Sequence, residues 1–223
     1  LWTALETLLP PPEDKKRILH FLYSFEPFLG RMYVQKLLID LLYDLRFELD
    51  DQLDEVLSQV PTEGSQFEKV SSIIALKEEN EPVRELLYTK IGRNLRLRNK
   101  IYNLMKKFHS SDSILKTIEL HNKRVRWQLQ RIYRARNLIV HKGGKLEYVK
   151  QLVENLHSYY HTIISLANEV KNDNSDIESL DTIFKLIRIE HDAHLQLLRS
   201  QKTQECSKSN FKILLFGNMS DMK

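Results

Sequence analysis

The amino-acid sequence predicts an all-α fold, and two features of the chain indicate it. Apolar residues make up 42% of the 223 residues, and there are only six glycines and six prolines, so few positions favour turns. Apolar side chains recur at three- and four-residue intervals along most of the chain, as they do on one face of a helix. We therefore expect a single helical bundle over residues 1–223, with extra N-terminal helices and a short apolar C-terminal tail.

Prolines and polar turns divide the first half of the chain. Three consecutive prolines at 10–12 end a first short helix that leucines mark from Leu1 to Leu9, and Pro12 with two acidic residues opens the next. A break is expected near residues 27–30, which begin with Pro27 and end with Gly30. The predicted elements are helices over 12–24 and 31–58, followed by a loop over 60–66.

Helices also fill most of the second half. Their predicted ranges are 81–109, 115–142, 146–170 and 176–203. His109 to Asp112 supply a stop and then capping residues, and Gly143 with Gly144 forms a glycine stop after Lys142. The apolar tail from Phe211 is expected to form a strand or an extended segment.

Composition also narrows the class of protein. Cys206 is the single cysteine, so an internal disulfide is excluded and a reducing compartment is indicated. No apolar run approaches the roughly 18 to 20 residues of a membrane span, which predicts a cytoplasmic protein without membrane partners. Because the chain begins at Leu1, we expect it to be the C-terminal effector part of a longer protein.

Charge is distributed unevenly along the chain. Residues 84–150 contain 18 Lys or Arg and four Asp or Glu, whereas residues 44–81 contain 11 Asp or Glu and three Lys or Arg. Such a basic block suits a polyanion, because neutralising phosphates releases condensed counterions. The alternative is that the basic block packs against the acidic helices within the fold.

The predicted helix at 115–142 places an arginine among apolar side chains. On a helical wheel Arg136 lies in the middle of an apolar arc formed by Val125, Leu129, Ile132, Ile139 and Val140. A guanidinium there requires an anion, either a phosphate or a carboxylate of a buried ion pair. The opposite arc carries Gln130, Arg134, Asn137 and His141. Arg136 and His141 diverge by about 140° around the helix and lie about 7.5 Å apart along its axis. They can therefore act on one group only if the arginine side chain wraps round the helix or a second subunit completes the site.

The segment RARNLIVHKG at 134–143 resembles a known signature. Arg136, the polar Asn137 and His141 match the pattern of HEPN domains, helical bundles common in prokaryotic defence systems. LWTALETLL at the start and RIYRARNLIVHKG in the middle resemble the Apea-like HEPN group of anti-phage proteins. The resemblance implies a metal-independent endoribonuclease that works as a homodimer with its two signature helices facing each other. Gly143 stands where the nucleotidylated variant of the family has Tyr, so control by that modification is not expected.

Residue chemistry assigns roles at such a site. In RNA the 2′-OH attacks the adjacent phosphate, so no metal or other cofactor is needed and a 2′,3′-cyclic phosphate is the expected product. His141 would move the proton, Arg136 would bind the non-bridging phosphate oxygens, and Asn137 would hold His141 or the phosphate. The candidate RNA-binding residues are Arg131, Arg134, Lys142, Arg93, Arg96, Arg98 and Lys100.

Other patterns leave alternatives open. The pairs His157/His161 and His191/His194 have helical metal-ligand spacing but lack further ligands, so no metal site is predicted. Trp2, Trp127, Tyr159 and Tyr160 could stack bases, although packing in the core or at an interface is favoured. The leading hypothesis is a defence ribonuclease controlled by an N-terminal sensor domain or a regulatory protein. A silent HEPN-type dimerisation or RNA-binding module and a helical protein-interaction domain are the alternatives.

Overall fold

The computed structural model describes residues 2–9, 17–143 and 149–217, whose regular elements are all α-helices. The all-α prediction is therefore confirmed. These residues form α1 (Trp2–Leu8), α2 (Arg17–Leu49), α3 (Gln52–Ser58), α4 (Gln66–Ala75), α5 (Glu81–Ile91), α6 (Leu95–Phe108), α7 (Ser111–Lys142), α8 (Val149–Asp173), α9 (Leu180–Ser200) and α10 (Phe211–Phe216). Among the described helices, none has both the length and the apolar character that crossing a bilayer requires.

The chain divides into two compact units. The first comprises residues 1–32 and 119–192, and the second comprises residues 33–118 and 193–223. The dividing points lie within α2, α7 and α9 and not in loops. No Gly- or Pro-rich linker marks them in the sequence, and the single-domain organisation stays a prediction.

Aromatic side chains dominate the core of the first unit. Trp2 of α1 stacks on Phe21 of α2 with ring centroids 4.5 Å apart, and Phe28 of α2 lies 4.6 Å from Phe184 of α9. The buried stripe that α7 adds to this core is Val125, Leu129 and Ile132. Because one face of α7 is fixed in the core, the position of its opposite face is also fixed.

Aliphatic side chains fill the core of the second unit, and polar groups complete its helix ends. Ser65 and Glu68 form a reciprocal capping box at the start of α4. At the other end of α4, the buried guanidinium of Arg84 donates to the carbonyls of Ile73 and Leu76 at 3.0 and 2.7 Å. Arg84 therefore satisfies carbonyls that have no partner within the helix.

The predicted break near residues 27–30 is wrong, because α2 continues through Pro27. Proline has no N–H, so the carbonyl of Tyr23 loses its bond within the helix. Arg188 of α9 replaces that donor, with its Nη2 atom 2.7 Å from the Tyr23 carbonyl oxygen. A side chain from another helix thus compensates for the proline, which local sequence could not reveal.

Gly30 is needed inside α2 for the close approach of neighbouring helices. A Cβ at this position would lie 2.6 Å from Asn122 Oδ1 of α7 and 2.7 Å from His191 Cε1 of α9. Both neighbours are buried, at 6% and 4% exposure, so neither can swing into solvent. The glycine is therefore explained by packing within the first unit.

Two other predicted helices are interrupted, and the tail differs from expectation. Asp50, with φ of 46°, separates α2 from α3 within the range 31–58, and Gly92, with φ of 62°, separates α5 from α6 within 81–109. The tail is helical, as α10, so the strand or extended conformation is wrong. The expected helix start at 12–14, the prolines at 10–12, Gly144 and the start of the 146–170 helix lie outside the described residues.

Candidate functional site

The candidate site is built on the C-terminal half of α7. Residues 111–142 contain no glycine or proline, and the helix ends where Gly143, with φ of 61°, donates its N–H to the Ile139 carbonyl at 3.1 Å. The predicted stop is confirmed at Gly143. It fixes the end of α7, and Asn137 and His141 lie within the last two turns of that helix.

The face of α7 opposite its buried stripe opens onto a cavity of about 530 Å³. The lining side chains are Ile18 of α2 and Gln130, Tyr133, Arg134, Asn137, Leu138 and His141 of α7. The four polar members predicted to share one arc therefore do so. A guanidinium, an amide and an imidazole at Arg134, Asn137 and His141 line one volume that a small polyanionic group can enter.

The apolar wall of this cavity was not foreseen from the sequence. Ile18 and Tyr133 are partly buried and pack against the core of the first unit, where the Tyr133 ring lies 5.7 Å from Trp2. The core thus supports one side of the cavity. Tyr133, Asn137 and His141 are spaced four residues apart along one helix face, a signal that could have identified Tyr133.

Arg136 adjoins the cavity without lining it. Its Nη1 atom donates to Asn137 Oδ1 at 3.0 Å, so the guanidinium orients the amide that faces the cavity. In the described part of the chain no carboxylate pairs with Arg136. Within this unit, a little-exposed arginine, Arg31 of α2, pairs instead with Glu190 of α9.

The apolar arc around Arg136 is only partly buried. Ile132 is 4% exposed, but Ile139 and Val140 are 39% and 59% exposed, so the last two residues of the arc do not belong to the core. Among the described side chains, no contact joins Arg136 to His141, as their divergence on the wheel predicts. The arginine therefore lies at the edge of the core, half-buried.

The other predicted RNA-binding residues of the first unit occupy the same helix. Arg134 is exposed and lines the cavity, whereas Arg131 is exposed and donates to Gln128 Oε1 at 3.4 Å. Lys142 is the last residue of α7, and its side chain lies outside the described part.

The basic run at residues 93–100 belongs to the second unit. Lys100 pairs with Asp44 at 2.6 Å, and Arg98 donates to the Tyr88 carbonyl at 2.7 Å. Arg93 and Arg96 are exposed. Two of the four predicted cations, Lys100 and Arg98, therefore already have partners within the fold.

Part of the basic block does pack against the acidic helices. Besides Lys100 and Asp44, Lys90 pairs with Glu55 at 2.7 Å. These pairs join the basic helices α5 and α6 to the acidic α2 and α3. The alternative in which the two blocks meet within the fold is therefore correct for these residues.

No metal cluster forms among the described residues, since no group of three or more His, Cys, Asp or Glu side chains converges there. Of the paired histidines, His191 faces Asn122 at 3.4 Å and His194 faces the Leu214 carbonyl at 2.9 Å. Both rings are buried and have protein partners, as structural histidines do.

No protein-family model, curated protein or solved structure matches the chain. The function must therefore be argued from the site.

Proposed function

We propose that the chain is a metal-independent endoribonuclease of HEPN type. The observation that carries this proposal is that Arg134, Asn137 and His141 line one open cavity while Arg136 is hydrogen-bonded to Asn137. This set supplies cationic donors for a phosphate and an imidazole for proton transfer, which cleavage of RNA by its own 2′-OH requires.

The proposed chemistry uses the substrate's own nucleophile. His141 takes the proton from the 2′-OH as the oxygen attacks phosphorus, or gives a proton to the 5′-oxygen as the P–O5′ bond breaks. Arg134 lies where it can bind the non-bridging oxygens, whose charge grows in the transition state. The products are a 2′,3′-cyclic phosphate and a 5′-OH, with no change in oxidation state.

Arg136 fits a site formed by one chain less well than the residues that line the cavity do. It touches the cavity only through Asn137, whereas the signature resemblance implies direct binding of phosphate. Exposed Ile139 and Val140 lie beside it and suit a homodimer in which a second copy covers them and adds a second Arg136 and His141 to the same face. The dimer is part of the proposal.

The setting we propose is cytoplasmic anti-phage defence, in which a sensor domain or a regulatory protein restrains the nuclease. The basis for this setting is the resemblance of the segment around Arg136 to the Apea-like HEPN group.

Cleavage of RNA in EDTA tests the proposed function. We expect His141→Ala and Arg136→Ala to lose at least about 100-fold in rate, as removal of a proton-transfer group or a transition-state donor does. Matched controls are His157→Ala, an exposed histidine of α8, and Arg124→Ala, an exposed arginine of α7. Full activity in His141→Ala, or equal losses in the controls, would refute the assignment.

A second candidate is a silent module that binds RNA or dimerises without cutting. The position of Arg136 outside the cavity lining favours it. Salt-sensitive RNA binding with no cleavage by a folded dimer would identify this alternative.

A further inference from the structure

The face of α7 that runs from outside the candidate site into it has an unusual side-chain content. Residues 120–142 contain no Asp or Glu. Their cations are Lys123, Arg124, Arg126, Arg131, Arg134, Arg136 and Lys142. Arg126 is neutralised by Glu26 of α2, but no ion pair joins Lys123 or Arg134 to a carboxylate among the described residues. The face that carries these two side chains is therefore positive over its length.

A tryptophan lies in the middle of this positive face. Trp127 is 59% exposed, although its neighbours Val125 and Leu129 are 2% and 1% exposed, so it does not pack in the core of the chain. The Lys123 ammonium lies 5.1 Å from the centroid of the Trp127 ring. Trp2, by contrast, is 8% exposed and stacked in the core, so only one of the two tryptophans is open to a ligand.

These side chains form a row along α7 that ends at the cavity. At about 100° per residue, Lys123, Trp127, Arg134 and His141 fall within an arc of about 40°. Trp127 precedes Gln130, the first residue of α7 that lines the cavity, by one turn, and Arg134 belongs to both the face and the cavity. Trp127 and His141 are about 21 Å apart along the axis, the span of about six stacked nucleotides.

We propose that the face of α7 formed by Lys123, Trp127 and Arg134 binds a single strand of RNA, stacks one base on Trp127 and guides the strand to the cavity. This inference deepens the proposed function, because it names the conformation and the path of the substrate. An exposed indole flanked by cations is the arrangement that single-strand-binding proteins use, since every base presents a face that can stack. A duplex keeps its base faces stacked inside and cannot offer one to Trp127.

Binding of an RNA strand that cannot be cut tests the inference. The probe is a fluorescent 12-nucleotide 2′-O-methyl oligouridylate, titrated with the full chain. We expect Trp127→Ala to weaken binding about 10-fold and Trp127→Tyr to retain most of the affinity, because a stacked base is lost only in the first. Lys123→Ala should lower the slope of log K against log salt by about 0.7, the value for one phosphate contact on a single strand.

Matched controls come from exposed side chains elsewhere. Phe47→Ala removes an aromatic ring that is 92% exposed in the second unit, and Lys116→Ala removes an exposed lysine in the first turns of α7. Both should bind as the wild type does. A second readout is the wild-type tryptophan fluorescence, which the strand should quench through Trp127.

Several results would overturn the inference: unchanged binding by Trp127→Ala, an equal loss in Phe47→Ala, no quenching at saturation, or equal competition by a duplex of the same length. The strand-binding inference and the proposed nuclease function can fail independently of each other. A chain that binds the strand through Trp127 but leaves ordinary RNA intact would refute the nuclease alone. A chain that cuts RNA with Trp127→Ala unimpaired in binding would refute only the path.

Discussion

Replacing Gly30 with alanine would test how closely the helices of the first unit approach. The added Cβ meets Asn122 Oδ1 at 2.6 Å and His191 Cε1 at 2.7 Å, both shorter than real carbon contacts. Neither neighbour is free to move away, because both are buried and Asn122 Nδ2 lies 3.4 Å from His191 Nε2. Gly30→Ala must therefore displace this buried polar pair or the helices that carry it.

Two opposing effects determine how much Gly30→Ala changes the free energy of unfolding. Overpacking a buried contact costs about 1 to 3 kcal/mol. Alanine in place of glycine within a helix returns about 0.5 to 1 kcal/mol. The net expectation is a loss of about 0 to 2.5 kcal/mol in the free energy of unfolding. The upper end of that range corresponds to a fall in Tm of roughly 5 to 10 °C for a chain of this length.

Urea unfolding followed by circular dichroism measures this loss. The wild type, Gly30→Ala, Asn122→Ala and the double variant together form a double-mutant cycle. The double variant lacks the oxygen that the new Cβ meets, so the cost of Gly30→Ala should be smaller in that background. If Gly30→Ala instead stabilises the chain by the amount that helix propensity alone provides, the reasoning about close approach is wrong.

Two further predictions concern the second unit. Lys212, and then the Ser65 N–H, hold the pKa of Glu68 below its ordinary value of 4.5. The stability that this carboxylate adds is full above that value and is lost as pH falls through the lowered pKa. Glu68→Gln should therefore cost about 0.5 to 1 kcal/mol at pH 7 and progressively less as pH falls below 4.5, measured by urea unfolding; a cost that does not change with falling pH would contradict this. Burial, and then Glu205, raises the pKa of Cys206 to about 12, so at pH 8 a fraction on the order of 10⁻⁴ is thiolate. Iodoacetamide should leave it unmodified until the chain unfolds, and rapid labelling of the folded chain would contradict its burial.

The sequence predicts best those features that depend on local chemistry. Helical periodicity gave the fold class, and Gly143 marked the end of α7 because a left-handed residue is needed there. The shared face of Asn137 and His141 also follows from spacing alone, since residues four apart lie together on any helix.

Features that depend on distant partners could not be predicted. Pro27 breaks an isolated helix, but here Arg188, 161 positions later in the chain, supplies a donor to the freed carbonyl. Asp50 adopts a positive φ without the glycine that would signal it. At Pro27 a tertiary contact overrides local preference, whereas at Asp50 the contacts are local, since Arg46 Nη1 donates to the Asp50 carbonyl at 3.0 Å.

The candidate site was predicted in part. The cavity contains Arg134, Asn137 and His141, but its apolar wall includes Ile18, which is more than 100 residues away in sequence. Trp127 is exposed on the surface of the chain, which rules out the core and leaves an interface as the other place where packing was expected. Hydrophobic periodicity shows which residues share a helix face, but whether other helices bury that face depends on the rest of the fold.

The most direct measurement of the central claim uses a DNA strand that contains one ribonucleotide. Incubated in EDTA with the wild-type chain, it should be cut once, on the 3′ side of the ribonucleotide, leaving a 2′,3′-cyclic phosphate and a 5′-OH, and His141→Ala should leave it intact. Cutting at deoxynucleotides, a 5′-phosphate end, or unchanged cleavage by His141→Ala would contradict the account.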